Sequence, residues 1–216
     1  MLKKATSANI QTFNEHIEGE NNIISIGNDC RINSIDFTVI GNNCSCVFEN
    51  HVSSNAILKF YMVGNNCNIR IGEFTHFEST TAIQAIEDNM SIDIGSGCLF
   101  ASAYIVTSDY HSIYSTLNEK RINYPKPITI ENRVWIGKDV TILKGAYIGS
   151  GSVVGINSVV TKEFKRKNVI LAGNPAKIVK ENISWGVERT PEKKSPMKFS
   201  GVRSRIWKMA VRWFRL

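Results

Sequence analysis

Four histidines occur in the chain, and only His111 lies at the mouth of a segment that interrupts an otherwise repetitive sequence. Imidazole titrates near neutrality, so it can take a proton from an alcohol and later return it. A lone histidine is more often structural than catalytic, and residue type by itself leaves His111 a candidate. Asp109, two residues earlier, is placed to orient the ring, although an aspartate beside Tyr110 suits a turn cap equally well. The five cysteines are Cys30, Cys44, Cys46, Cys67 and Cys98, with no C-x-x-C among them and an odd count. They support neither a disulfide framework nor a structural zinc site.

The elements that must carry these residues are legible as a period of six. From residue 130 the chain reads in hexads that begin with Ile130, Ile136, Ile142, Ile148, Val154 and Val160, and their fifth positions are Val134, Val140, Ala146, Ser152 and Ser158. Earlier copies follow the same rule less regularly: Ile26-Gly-Asn-Asp-Cys30, Ile40-Gly-Asn-Asn-Cys44, Val63-Gly-Asn-Asn-Cys67 and Ile94-Gly-Ser-Gly-Cys98. An amphipathic helix returns its apolar face every 3 to 4 residues and a flat strand every second one, so neither fits. A short strand followed by a turn does fit, because Gly, Asn, Asp and Ser at the middle positions tolerate left-handed backbone angles. Such coils bury their aliphatic ladders only against one another, which predicts a parallel β-solenoid. Cysteine in the fifth slot reads as a small buried hydrophobe.

The segment from about Thr107 to Pro127 breaks the period and must leave the solenoid as a loop. Long insertions in a rigid scaffold are more often functional than decorative. The predicted organisation is therefore an N-terminal cap and first irregular coil over 1–25, a β-helix over 26–165 with the loop 107–127 inserted, an exit segment over 166–182, a linker over 183–201 and a basic amphipathic helix over 202–216.

Composition narrows the function classes. Hydrophobic residues make up 43% and charged residues 21% of the chain, near globular averages. The net charge of +7 is unevenly spread: residues 1–180 hold 17 Lys and Arg against 16 Asp and Glu, and residues 181–216 hold 9 against 3. The body thus lacks the basic footprint of a nucleic-acid-binding domain. No apolar run reaches the ~18 residues needed to cross a bilayer, and the N-terminus has no signal-peptide core, so a cytoplasmic protein is expected.

The hexads, the inserted loop and the segments downstream of it together resemble the hexapeptide-repeat acyltransferases, with the polysaccharide O-acetyltransferases as the nearest branch. The matching residues are Ser108-Asp-Tyr-His-Ser-Ile-Tyr114, Lys126-Pro127-Ile128, Trp135-Ile136-Gly137, Gly151 to Lys162, and Ala172-Gly-Asn-Pro-Ala-Lys177. The resemblance implies a left-handed β-helix, assembly as a homotrimer with active sites between subunits, and acetyl-CoA as co-substrate. It implies His111 as general base in direct transfer to a hydroxyl, and Trp135 as a wall of the site, though an aromatic closing a coil is the structural alternative. It carries over Gly137, Lys138, Gly155, Ile156 and Thr161 as lining of the coenzyme A tunnel, and Lys162, Lys177 and Lys180 as cations for its phosphates. The run Lys165-Arg166-Lys167 reads instead as a solvated turn. A sugar-site asparagine that some of these enzymes place upstream of the histidine is unmatched, with Thr81 near its position. Zinc-dependent hexapeptide proteins need three histidines with an H-x4-H pair, which this chain lacks, so no metal is expected.

The tail needs its own account. A helical projection of Val202–Leu216 gathers Val202, Ile206, Met209, Trp213 and Leu216 on one arc and Arg205, Lys208, Arg212 and Arg215 opposite. That pattern suits peripheral contact with an anionic membrane, and docking on protein and contact with nucleic acid are the alternatives. The expected activity is O-acetylation of a sugar in a bacterial capsule or O-antigen. N-acylation of an amino sugar, acetylation of a small molecule, and an inactive scaffold are the other readings.

Overall fold

A computed structural model of the chain describes residues 1–187. Residues 1–184 form one body built of strands, with no helix among the described residues. Each coil crosses three faces in turn. The first face is an eight-stranded parallel sheet that starts at Leu2–Lys4 and ends at Glu163–Phe164. The second and third faces are joined into a 13-stranded sheet, because in the first three coils Asn9–Glu18, Arg31–Ile40 and Ser53–Val63 run from one face onto the next without a turn. The predicted parallel solenoid is the observed architecture. Residues 1–25 contribute its first coil, in which Leu2–Lys4 pairs with Ile23–Ile26 and Asn9–Glu18 with Arg31–Ile40. The C-terminal exit folds back as Lys177–Lys180, antiparallel to Ile170–Ala172. The basic helix predicted for 202–216 lies outside the described residues, as does the linker beyond residue 187.

The hexad rule holds at the level of single positions. Ile130, Ile136, Ile142, Ile148, Val154 and Val160 are all buried, as are Val134, Val140, Ala146, Ser152 and Ser158. Fourth positions take positive φ: Asp29, Asn43, Asn66, Gly97, Arg133, Asp139, Gly145, Gly151 and Asn157. Each coil turns its corner there, and the short polar side chains and glycines found at most of these positions meet the left-handed geometry at low cost.

Coil length departs from a uniform period. Ile130 pairs with Ile148, 18 residues on, whereas in the early coils ladder partners such as Asn28 and Asn50 lie 22 apart, and Asn42 and Asn65 lie 23 apart. The wider early cross-section is filled by aromatic rings. Phe37 stacks on Phe60 at 4.6 Å between centroids, and Phe48 meets Phe60 edge-on at 5.4 Å. The five cysteines are all buried and free. The motif slot shared by four of them leads to two different corners: Cys30 and Cys98 fall in a column with Val52, Thr75 and Val134, and Cys44 and Cys67 in another with Met90.

Candidate active site

The strand Ala103–Val106 ends on the third face, and the chain re-enters the first face at Ile128–Ile130. Between them the loop stands at the corner joining the third and first faces. Its base is closed by Lys126 N donating to Thr107 O at 3.1 Å, and Thr107 is itself tied into the solenoid through its hydroxyl, which donates to Ile86 O at 3.0 Å. An isolated bridge between Tyr114 and Arg121 folds the loop on itself.

Two polar clusters pin this loop. Arg121 grips Glu87 with two nitrogens, at 2.5 and 2.7 Å, and Ser108 Oγ donates to the same carboxylate at 2.6 Å. The Arg121 hydrogen bonds, followed by the one from Ser108, hold the Glu87 carboxyl below the ordinary carboxylate range. The second cluster centres on the buried Asn123. Its Nδ2 donates to Asp109 Oδ2 and to His111 O, both at 2.8 Å, and its Oδ1 accepts from Ile113 N at 2.7 Å. Lys144 Nζ completes it, donating to Asp109 Oδ2 and, at 3.1 Å, to Asn123 O. Lys144 first and Asn123 second lower the Asp109 pKa.

His111 is thereby fixed through its backbone, its N–H donating to Asp109 O at 2.7 Å, while the side chain stays exposed to solvent. Among the described residues no hydrogen bond joins the Asp109 carboxylate to the His111 ring. The two residues are joined instead through Asn123 and the backbone. The other histidines have partners on the solenoid itself. His16 meets Glu18, His51 stacks on Phe74 at 4.6 Å, and His76 lies between Ser53 and Glu78. Among the described residues no group of three or more His, Cys, Asp or Glu side chains could hold a metal ion.

The remaining candidates fall on other parts of the coil. Trp135 is on the second face, 39% exposed, in register between Leu99 and Val153. That face lies across the prism from the corner where the loop stands. Gly137 and Lys138 follow Trp135–Ile136 at the corner between the second and third faces, with Gly155 and Ile156 one coil further along. Gly137 N donates to Val154 O, Asn157 N to Lys138 O, and Gly155 N to Leu171 O. Lys177 pairs with Ala172 and so joins this corner, whereas Lys180 pairs with Ile170 at the other edge of the second face. Thr161 and Lys162 lie at the far end of the third face, Lys162 Nζ 5.6 Å from the Phe164 ring centroid. The Lys165-Arg166-Lys167 run pairs with Glu163, Glu181 and Glu131 respectively, so its charge is largely spent locally. Thr81 is fully buried in the third face and presents nothing to a ligand.

Sequence reading missed Asn123, Lys144, Arg121, Glu87 and Gln84. Lys144 and Glu87 sit at strand ends and look like solvated turn residues, and only the fold brings them to the loop. Gln84 is nearly buried on the third face, where its Oε1 accepts from Tyr104 OH at 2.9 Å and from Tyr110 OH at 2.6 Å. Burial of its hydroxyl and the neighbouring Tyr104 push the Tyr110 pKa up to about 12. Beside Tyr104 opens a cleft of about 270 Å³ lined by Thr80, Ser102, Asp139 and Thr141 among others.

Residues 127–162 match the family described as bacterial transferase hexapeptide (six repeats). The chain is 41% identical over 188 residues to a polysialic acid O-acetyltransferase of Neisseria meningitidis, a match that covers 78% of this chain and 87% of that relative. Among solved structures it is similar to the polysialic acid O-acetyltransferase OatWY, with a TM-score of 0.75 and 34% identity over 89% of this chain and 90% of the other. It is also similar to the polySia-specific acetyltransferase NeuO, with a TM-score of 0.65 and 26% identity over 94% and 92%. With its hexads stacked as a parallel solenoid and its similarity running along most of its length, the chain belongs to the hexapeptide-repeat acetyltransferases and is an acyltransferase.

Proposed function

We propose that the protein transfers the acetyl group of acetyl-CoA to a hydroxyl of a sugar in a bacterial capsular polysaccharide, with polysialic acid the first acceptor to test. The observation that carries this reading is the 41% identity extending over 87% of a polysialic acid O-acetyltransferase. The exposed His111, on a loop pinned by Asn123, Asp109 and Lys144, supplies a base where a polymer can reach it.

In this mechanism His111 removes the proton of the acceptor hydroxyl as its oxygen attacks the thioester carbonyl carbon. The C–S bond then breaks, and the proton passes from the imidazole to the departing thiolate. No acyl-enzyme forms. Asp109 is a positioning residue that acts through Asn123. The carbonyls of Gly137 and Gly155, whose N–H groups are already donated within the solenoid, suit the amide N–H groups of the pantetheine arm; Lys138, Ile156 and Thr161 line the tunnel, and Lys162, Lys177 and Lys180 suit the phosphates as charge-assisted donors. Because the loop is tied to one corner and Trp135 lies on the face across the prism, a complete site takes His111 from one protomer and Trp135 from its neighbour. This arrangement supports a homotrimer with sites between subunits.

Thiol release from acetyl-CoA, followed across a panel of bacterial polysaccharides with mass spectrometry of the products, tests the reading. Wild type should release thiol only with an acceptor. His111→Ala should lose at least ~10² of that rate while still binding coenzyme A. Near-normal turnover by the variant overturns the role of His111, and absence of transfer to any saccharide overturns the acceptor class.

A further inference from the structure

Three tyrosines on the outer surface of the third face have an unusual arrangement. Tyr61 stands opposite Gln84 in the strand register, and Tyr104 and Tyr110 both donate their hydroxyls to that same Gln84 oxygen. The exposures are 41% for Tyr61, 40% for Tyr104 and 50% for Tyr110, against 9% for Gln84. An exposed tyrosine ordinarily packs its ring and leaves the hydroxyl in water. Here the two hydroxyls are held on a nearly buried amide and the ring surface is left outside. The anchoring limits rotamer freedom before anything binds, so less ordering entropy is lost on binding.

The placement names an occupant. Tyr110 is the residue immediately before His111, and Tyr104 borders the cleft lined by Ser102, Asp139 and Thr141. Tyr61, Gln84 and Tyr104 come from three successive coils, so the aromatic surface extends about 10 Å along the solenoid at the strand spacing of a sheet. Pyranose rings present apolar C–H faces that pack on aromatic rings, with hydroxyls around their rim for polar groups such as those of the cleft. We propose that Tyr61, Tyr104 and Tyr110 form a saccharide subsite that holds a sugar of the acceptor chain beyond the one being acetylated. The identity of that chain rests on the function proposed above, while the subsite itself rests on the geometry of the tyrosines. A second copy of this chain is the competing occupant of such a surface.

Tyr61 is the member to vary, since it is on the solenoid rather than the loop and among the described residues no hydrogen bond from its hydroxyl anchors another side chain. Binding of polysialic acid and of dextran to wild type, Tyr61→Ala and Tyr61→Phe is to be measured directly by calorimetry, with steady-state kinetics and sedimentation velocity on the same proteins. Losing one ring face's apolar contact should weaken polymer binding and raise the acceptor KM about tenfold in Tyr61→Ala. In Tyr61→Phe, which keeps the ring, both values should stay near wild type, and kcat, acetyl-CoA affinity and sedimentation should hold in both variants. Unchanged polymer affinity in Tyr61→Ala overturns the subsite, and so does a fall in oligomeric state, which would mark the tyrosines as a subunit contact. If wild type binds a polymer through Tyr61 yet transfers no acetyl group to it, the subsite stands and the proposed function falls.

Discussion

Asn123 has the densest set of partners around His111. It bridges the Asp109 carboxylate, the His111 carbonyl and the Ile113 amide, and each of these contacts is made by a buried amide inside a solvent-facing loop. General-base catalysis needs the imidazole within hydrogen-bond reach of the acceptor hydroxyl, and a displacement of an ångström is costly. Asn123→Ala should therefore lower kcat by about 10 to 10²-fold through misplacement of His111. Coenzyme A binding and the melting temperature of the solenoid should change little, because the loop adds no strand to it. Stopped assays at saturating acetyl-CoA, paired with thermal melts, check this. A collapse of stability instead would show that the loop is part of the folding core.

At the scale of elements, the coil corners set the tolerance of the fold. Gly41 has φ near +148°, and a Cβ placed there would lie 2.0 Å from Gly64 O in the next coil. Corner residues in successive coils stack directly, so a methyl group at one level meets the backbone of the next. Gly41→Ala should destabilise the protein by about 3 kcal/mol or more, from backbone strain and overpacking together. For a chain of this length that corresponds to a fall in Tm of about 6–12 °C. A Tm within a degree or two of wild type would mean the corner can relax. The Asn ladders at the same corner, such as Asn42 N to Asn65 Oδ1 at 3.0 Å and Asn65 N to Asp88 Oδ1 at 2.7 Å, satisfy amides that the turns leave without strand partners.

For the whole molecule the decisive feature is the separation of His111 and Trp135 around one coil. In the homotrimer proposed above, a neighbour would supply the missing half of each site. Two inactive variants can therefore complement one another. Co-expression of His111→Ala and Trp135→Ala chains in equal amounts should restore about a quarter of wild-type activity, since that share of interfaces pairs an intact histidine with an intact tryptophan. The test requires Trp135→Ala to be inactive by itself, and activity no higher than that of either variant alone would place both residues in a single protomer. No helix among the described residues is long and apolar enough to cross a membrane.

The sequence by itself determined what each residue does along one coil. A period of six with aliphatic first positions and turn-forming middle positions decides locally which side chains point inward and where the chain bends. The buried ladder from Ile130 to Val160 and the positive-φ corners follow from it directly. The inserted loop, with His111 at its mouth, was visible as the break in that period. Tertiary structure alone decided how the coils stack and what the loop meets. The early coils are wider because long strands pass a corner without turning and phenylalanines fill the added space, which no hexad template encodes. Cysteines in one motif slot went to two corners for the same reason. Asn123 gained its role from loop partners 10 to 14 residues away and from Lys144, and Lys144, Glu87 and Gln84 gained theirs from partners 20 to 35 residues away. Such contacts depend on inter-coil register, a sum over many ladder pairings, whereas the facing of a side chain depends only on its neighbours in sequence.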